Sequence, residues 1–195
     1  MTCTMTRRSV VLGCAIALLL THGLQAQRPQ ARSGFWYAFG LGLGWARVSC
    51  QICQADHRPG LSAYLRLGGG VRSNVLIGAE LAAWNRNTNQ VEQALVALSA
   101  AAYWYPSRRR PLYLKGGVGF STHRAEDGTD VITSTGLGPQ MGIGYELPVG
   151  RNVFLAPFFN ATYGALAGGV KFNGGRVTDQ ATITLVQIGV ALTGH

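Results

Sequence analysis

Residues 35–48 read Phe-Trp-Tyr-Ala-Phe-Gly-Leu-Gly-Leu-Gly-Trp-Ala-Arg-Val. One parity of this stretch carries Phe35, Tyr37, Phe39, Leu41, Leu43 and Trp45. The other carries Trp36, Ala38, Gly40, Gly42, Gly44 and Ala46. A period of two places the bulky set on one side of an extended chain and the small set on the other. A helix would scatter both sets around its axis. The stretch is therefore a β-strand with one apolar face and one small-residue face.

The pattern recurs seven times, over residues 61–68, 75–82, 93–104, 112–121, 136–145, 155–163 and 186–193. Leu61, Leu65 and Leu67 alternate with Ser62, Tyr64 and Arg66, and Ile77 and Leu81 with Gly78 and Glu80. Connections of two kinds separate the strands. Arg72-Ser73-Asn74, Pro106–Pro111 and Pro148–Asn152 are short and rich in turn formers. Cys50–Pro59, Arg86–Val91, Arg124–Ile132 and Leu166–Val177 read as longer polar loops. Short turns at one end and longer loops at the other describe an antiparallel up-and-down meander of eight strands.

The environment follows from which face is the core. Apolar residues make up 47% of the 195, charged residues only 13%, and glycine supplies 27 positions. A soluble barrel would turn its bulky face inward and show water a surface of glycines with few charges. The inverted arrangement fits the composition better. Apolar side chains face lipid, and small and polar ones fill an interior that eight strands make only wide enough for side chains. The outward aromatics agree. Phe35, Tyr37, Trp104 and Tyr145 fall near the short-turn end, and Trp45 and Tyr163 near the long-loop end, as two interfacial girdles. Arg66, Glu80, Lys115 and Glu146 all fall on the lumen parity and are read as lumen charge pairs. Arg66 and Glu80 sit symmetrically about the Ser73 turn, so they face each other across adjacent strands.

The N-terminus reads as a cleavable secretory signal peptide. Arg7 and Arg8 precede an apolar run from Val10 to Leu20, and Leu24-Gln25-Ala26 offers a small residue for cleavage. The run is too short to span a bilayer as a helix, and it continues past Cys14, against lipid modification there. Residues 1–26 are thus the signal, 27–34 a short tether and 35–195 the barrel. The formal charge of +9 would suit nucleic acid in a cytoplasmic protein, but export argues against that partner.

Strand number, signal and alternation together resemble the small eight-stranded outer-membrane β-barrel superfamily of the OmpA-like or OmpX-like type. The resemblance covers about Phe35 to His195. It implies residence in the outer membrane of a Gram-negative-type bacterium and a monomer contacting outer-membrane lipid and lipopolysaccharide. It also implies handling by the barrel assembly machinery through the last strand, Leu185–Thr193. The expected role is structural or surface interaction, with short turns and both termini in the periplasm and the long loops outside.

Chemistry-bearing residues are few. Cys50 and Cys53 in the first loop could close a small disulfide ring in an oxidising compartment. With His57 and Asp56 they form at most a loose metal set, and no metal or cofactor is expected. Ser121, His123 and Glu126 could suggest a hydrolytic site, which would make the chain a lipid A- or phospholipid-modifying barrel enzyme. A solvated histidine at a strand end is the plainer reading, and catalysis is not expected. Glycine spacings such as Gly40-x-Gly42-x-Gly44 follow strand period and open no helix, so they do not indicate nucleotide binding. Arg108-Arg109-Arg110 is a basic run in a short turn, suited to anionic headgroups or to simple solvation.

Overall fold

A computed structural model of the protein describes residues 34–50, 58–88, 91–107, 110–178 and 180–195. The signal peptide, nearly all of the tether, Cys53, Asp56, His57, Arg108 and Arg109 lie outside the described residues. The strands are β1 Gly34–Ser49, β2 Arg58–Arg72, β3 Val75–Thr88, β4 Val91–Trp104, β5 Leu112–Asp127, β6 Asp130–Tyr145, β7 Leu147–Pro148, β8 Val153–Gly164, β9 Leu166–Phe172, β10 Gly175–Thr178 and β11 Thr182–Gly194. Each of β1 to β5 pairs antiparallel with the next, β6 pairs with β8, β8 with β11, and β11 returns to β1. The result is a closed eight-stranded antiparallel barrel. Closure leaves no edge in the ring, so the strand ladders satisfy its backbone groups internally.

The faces separate as the period of two requires. Leu65, Ile77, Leu98 and Val118 point outward and are exposed, whereas Trp84, Tyr103, Leu185 and Gln187 are buried inside. Of the girdle set, Phe35, Tyr37, Trp104, Tyr145 and Tyr163 are exposed and Trp45 is half-buried. Phe35 lies opposite Gly69 and Trp104 opposite Val75, beside the short turns. Trp45 lies opposite Pro59 and Tyr163 opposite Thr184, near the other end.

Three of the four expected long loops are mostly strand. β3 runs through Arg86 to Thr88 and pairs with β4 up to Val91. β5 and β6 stay paired to Asp127 and Asp130 around Gly128-Thr129, with Gly128 at φ 60°. Leu166–Val177 is the β9–β10 hairpin, turning at Asn173 (φ 46°) and Gly174 (φ 84°). The ladder continues where apolar alternation fades, because backbone pairing does not need apolar side chains. The Asn173 side chain accepts from Val131 N at 2.8 Å and donates to Asp130 at 3.1 Å, tying the two hairpin tips together. Gly34, assigned to the tether from sequence, is the first residue of β1.

The barrel closes tightly at one seam because two glycines face each other. Gly42 pairs with Gly189 across β1 and β11. A Cβ on Gly42 would lie 2.1 Å from Ile188 O, and one on Gly189 would lie 2.1 Å from Leu41 O. Gly42→Val should therefore force the seam apart and cost at least about 1–3 kcal/mol, as overpacking does. Gly116, whose Cβ would meet nothing within 4 Å, should accept alanine with little loss. Urea titration of the folded fraction in lipid vesicles measures both. Equal midpoints for the two variants would contradict the close-approach argument.

Candidate functional site: a buried ion cluster across the lumen

The period of two turns Arg66, Glu80 and Lys115 into the lumen, where an isolated charge is expensive. Register then decides their neighbours. Arg66 lies directly opposite Glu80 on β2 and β3, and its Nε donates to Glu80 Oε2. Lys115 reaches over from β5 and donates from Nζ to Glu80 Oε1 at 2.6 Å. Tyr103 on β4 donates its hydroxyl to Glu80 Oε2 at 3.3 Å. One carboxylate thus accepts from three side chains on three other strands. Arg66 uses its remaining nitrogens to cross the lumen. Nη1 donates to Tyr113 Oη at 3.0 Å and Nη2 to Asn160 Oδ1 at 3.2 Å. Its guanidinium also stacks over the Tyr64 ring, 3.8 Å from the centroid. Charge-assisted bonds and ring contact offset the desolvation that burial imposes.

Glu146 is not part of this cluster. It lies nearer the short-turn end, accepting from Tyr105 Oη at 2.7 Å and lying 3.2 Å from His195 Nε2. His195 in turn meets Phe154 edge-on at 5.6 Å. Toward the long-loop end, Trp84 donates Nε1 to Gly44 O at 2.9 Å, and Gln187 donates to Ser62. The lumen is therefore filled by side chains in tiers: an aromatic and carboxylate tier below, the ion cluster in the middle and Trp84 with Leu95 above.

The hydrolytic candidates are not assembled. Ser121 and His123 share the inward face of β5 and are buried, but Ser121 Oγ and His123 Nδ1 have no hydrogen-bond partner. Among the described residues no base accepts a hydrogen bond from Ser121 Oγ. Glu126 is on the opposite parity and forms an ion pair with Arg124. Among the described residues no group of three or more His, Cys, Asp or Glu side chains could hold a metal ion. Cys50, at the upper end of β1, is disulfide-bonded. Its expected partner, Cys53, lies outside the described residues.

Sequence parity reaches Arg66, Glu80 and Lys115, but Tyr64, Tyr103, Tyr113 and Asn160 do not stand out beforehand. Tyr113 and Asn160 lie 47 and 94 residues from Arg66 along the chain, and only closure of the ring brings them to it. The available signal was that a tyrosine or asparagine on a small-residue face needs a polar partner in a closed interior.

No family model and no curated protein matches the chain. Solved structures do resemble it. Neisserial surface protein A matches with a TM-score of 0.54 and 18% identity, covering 83% of this chain and 97% of that one. The outer membrane protein OprG from Pseudomonas aeruginosa matches with a TM-score of 0.50 and 11% identity, covering 86% and 99%. At these identities the likeness establishes the fold, that of the small eight-stranded outer-membrane barrels.

Glu80→Ala should be the most damaging truncation in the lumen, costing about 3–5 kcal/mol because two buried cations lose their anion. Adding Arg66→Ala should recover part of that loss, so the two changes should be non-additive by more than about 1 kcal/mol. Denaturant titrations of the wild type, both single variants and the double variant give the coupling directly. Additive losses would mean the pair contributes no interaction energy.

Proposed function

We propose that the protein is an integral barrel of the outer membrane of a Gram-negative-type bacterium, with a structural or surface-interaction role and no catalytic site. The observation that carries this reading is the outward face. Leu61, Leu65, Leu98, Val118, Met141 and Ile188 are all exposed on a closed ring whose interior holds an ion cluster. In water this would be an apolar surface far larger than the few hundred Å² a soluble monomer exposes. In a bilayer it is the lipid contact, and each ladder bond is made within the ring.

The partners follow from that placement. Lipid and lipopolysaccharide surround the belt, and the assembly machinery reads the last strand, β11. The chain acts as a monomer whose short turns and termini face the periplasm. The hairpins β5–β6 and β9–β10, locked together through Asn173, form a stiff surface above the belt for contact outside the cell. Tyr105 in the lower tier, Arg66 and Tyr103 in the middle one and Trp84 in the upper one leave side chains where a passage would run, so bulk solute transport is not its role.

Cell fractionation tests the location. The protein should sediment with outer membranes and shift mobility on boiling in SDS gels, as folded barrels do. Recovery in the soluble periplasmic fraction would overturn the reading. Leu98→Arg should cost about 2–4 kcal/mol if this position lies near the bilayer midplane. Arginine at the exposed loop position Thr129 should cost far less. Urea titration in vesicles compares the two, and equal costs would place Leu98 in water.

A further inference from the structure

The two ends of the barrel differ in charge more sharply than the net charge suggests. The chain has eight acidic residues. Glu80 and Glu146 are buried in the lumen. The remaining six, Asp56, Glu92, Glu126, Asp127, Asp130 and Asp179, all fall in or beside the β1–β2, β3–β4, β5–β6 and β10–β11 connections. Among the described residues the short-turn end therefore exposes no aspartate or glutamate side chain, and its one carboxylate is that of the terminal residue, His195. This end exposes arginine instead at each of its three connections: Arg72 at the β2–β3 turn, Arg110 between β4 and β5, and Arg151 before β8. Arg108 and Arg109 precede Arg110 in the same connection and lie outside the described residues. Among the described residues, none of Arg72, Arg110 and Arg151 forms an ion pair.

Outward aromatics adjoin these arginines. Phe35, Tyr37, Trp104 and Tyr145 are exposed at the same end, and Trp104 and Tyr145 sit in the ladder positions next to the β2–β3 and β4–β5 connections. Aromatic rings on the outer wall mark the level where acyl chains give way to headgroups. Arginines just beyond that level reach phosphate rather than hydrocarbon. Guanidinium groups suit phosphodiesters because they offer paired donors and stay charged.

We propose that this end is a cationic collar that selects anionic phospholipids from the leaflet around it. The inference rests on the membrane reading above and adds to it a lipid class and a set of residues. The three connections lie at separate points on the circumference, so the arginines meet different lipid molecules. The effect is thus an enrichment of the boundary shell and not one stoichiometric pocket. Zwitterionic phospholipid carries the same phosphate, but its own cation cancels the attraction. Lipopolysaccharide, on the other leaflet, does not reach this end.

The test is electron spin resonance of the full chain in phosphatidylcholine vesicles, with trace spin-labelled phosphatidylglycerol or spin-labelled phosphatidylcholine. At low salt, phosphatidylglycerol should be favoured in the motionally restricted shell by about threefold. The preference should fall toward unity at 1 M salt, where screening acts within about 3 Å. Changing Arg72, Arg108, Arg109, Arg110 and Arg151 together to glutamine should abolish it, while changing all five to lysine should keep it. Heat-modifiable mobility shows whether each variant is folded, and if the combined glutamine variant does not fold, single changes of Arg72, Arg110 and Arg151 to glutamine carry the test, each expected to lower the preference. No preference in the wild type, or a preference that survives in the folded glutamine variant, would overturn the collar and leave the barrel reading intact. A wild-type chain that shows no restricted lipid of either kind would overturn both readings.

Discussion

The structure depends on one constraint: the ring must close so that no backbone N–H or C=O of the barrel is left without a partner. In hydrocarbon each such group would cost several kcal/mol, and no water is present to satisfy it. The β1–β11 pairing makes the closure, running from Tyr37 opposite Gly194 to Ser49 opposite Thr182. Gly42 and Gly189 let the two backbones approach there. Once the ring is closed, the period of two has only two destinations, and the sequence sends Leu65, Leu81 and Leu98 outward and Arg66, Glu80 and Lys115 inward.

The inside then has to solve its own problem. A lumen only wide enough for side chains leaves little room for water, so each charge admitted needs partners among side chains from other strands. Glu80 meets this by serving Arg66, Lys115 and Tyr103 together, and Arg66 by bonding Tyr113 and Asn160 as well. These contacts join β2, β3, β4, β5 and β8 through the middle of the barrel. Such a network favours one register over its neighbours. Slipping any of these strands by one residue would turn its polar group toward the outside.

The sequence made some of this legible and hid the rest for identifiable reasons. Alternation from Phe35 to Trp45 gives the strand and its faces, and symmetry about Ser73 gives the Arg66–Glu80 pair. Both depend only on local spacing. Strand length above the belt does not show in apolar spacing, because Arg86, Asn87 and Thr88 or Arg124 and Glu126 continue the strands with polar residues. Turn chemistry does mark those hairpins, since Asp127-Gly128 and Asn173-Gly174 are short-range hairpin signals. The serine, histidine and glutamate near the end of β5 lie close in sequence, yet strand parity sends Glu126 away from His123. The Asn160 and Tyr113 contacts depend on closure over long chain separations, which spacing alone does not reveal.

The central claim is that the bulky face meets lipid and the small and polar face meets the lumen. It is tested most directly by nuclear Overhauser contacts between acyl-chain methylenes and assigned side chains of the protein in lipid nanodiscs. The account predicts acyl contacts to Leu65, Ile77, Leu98 and Val118, and none to Ser62, Ser99 or Gln187. Acyl contacts to Ser62, Ser99 and Gln187 with none to Leu98 would show that the barrel is the other way out.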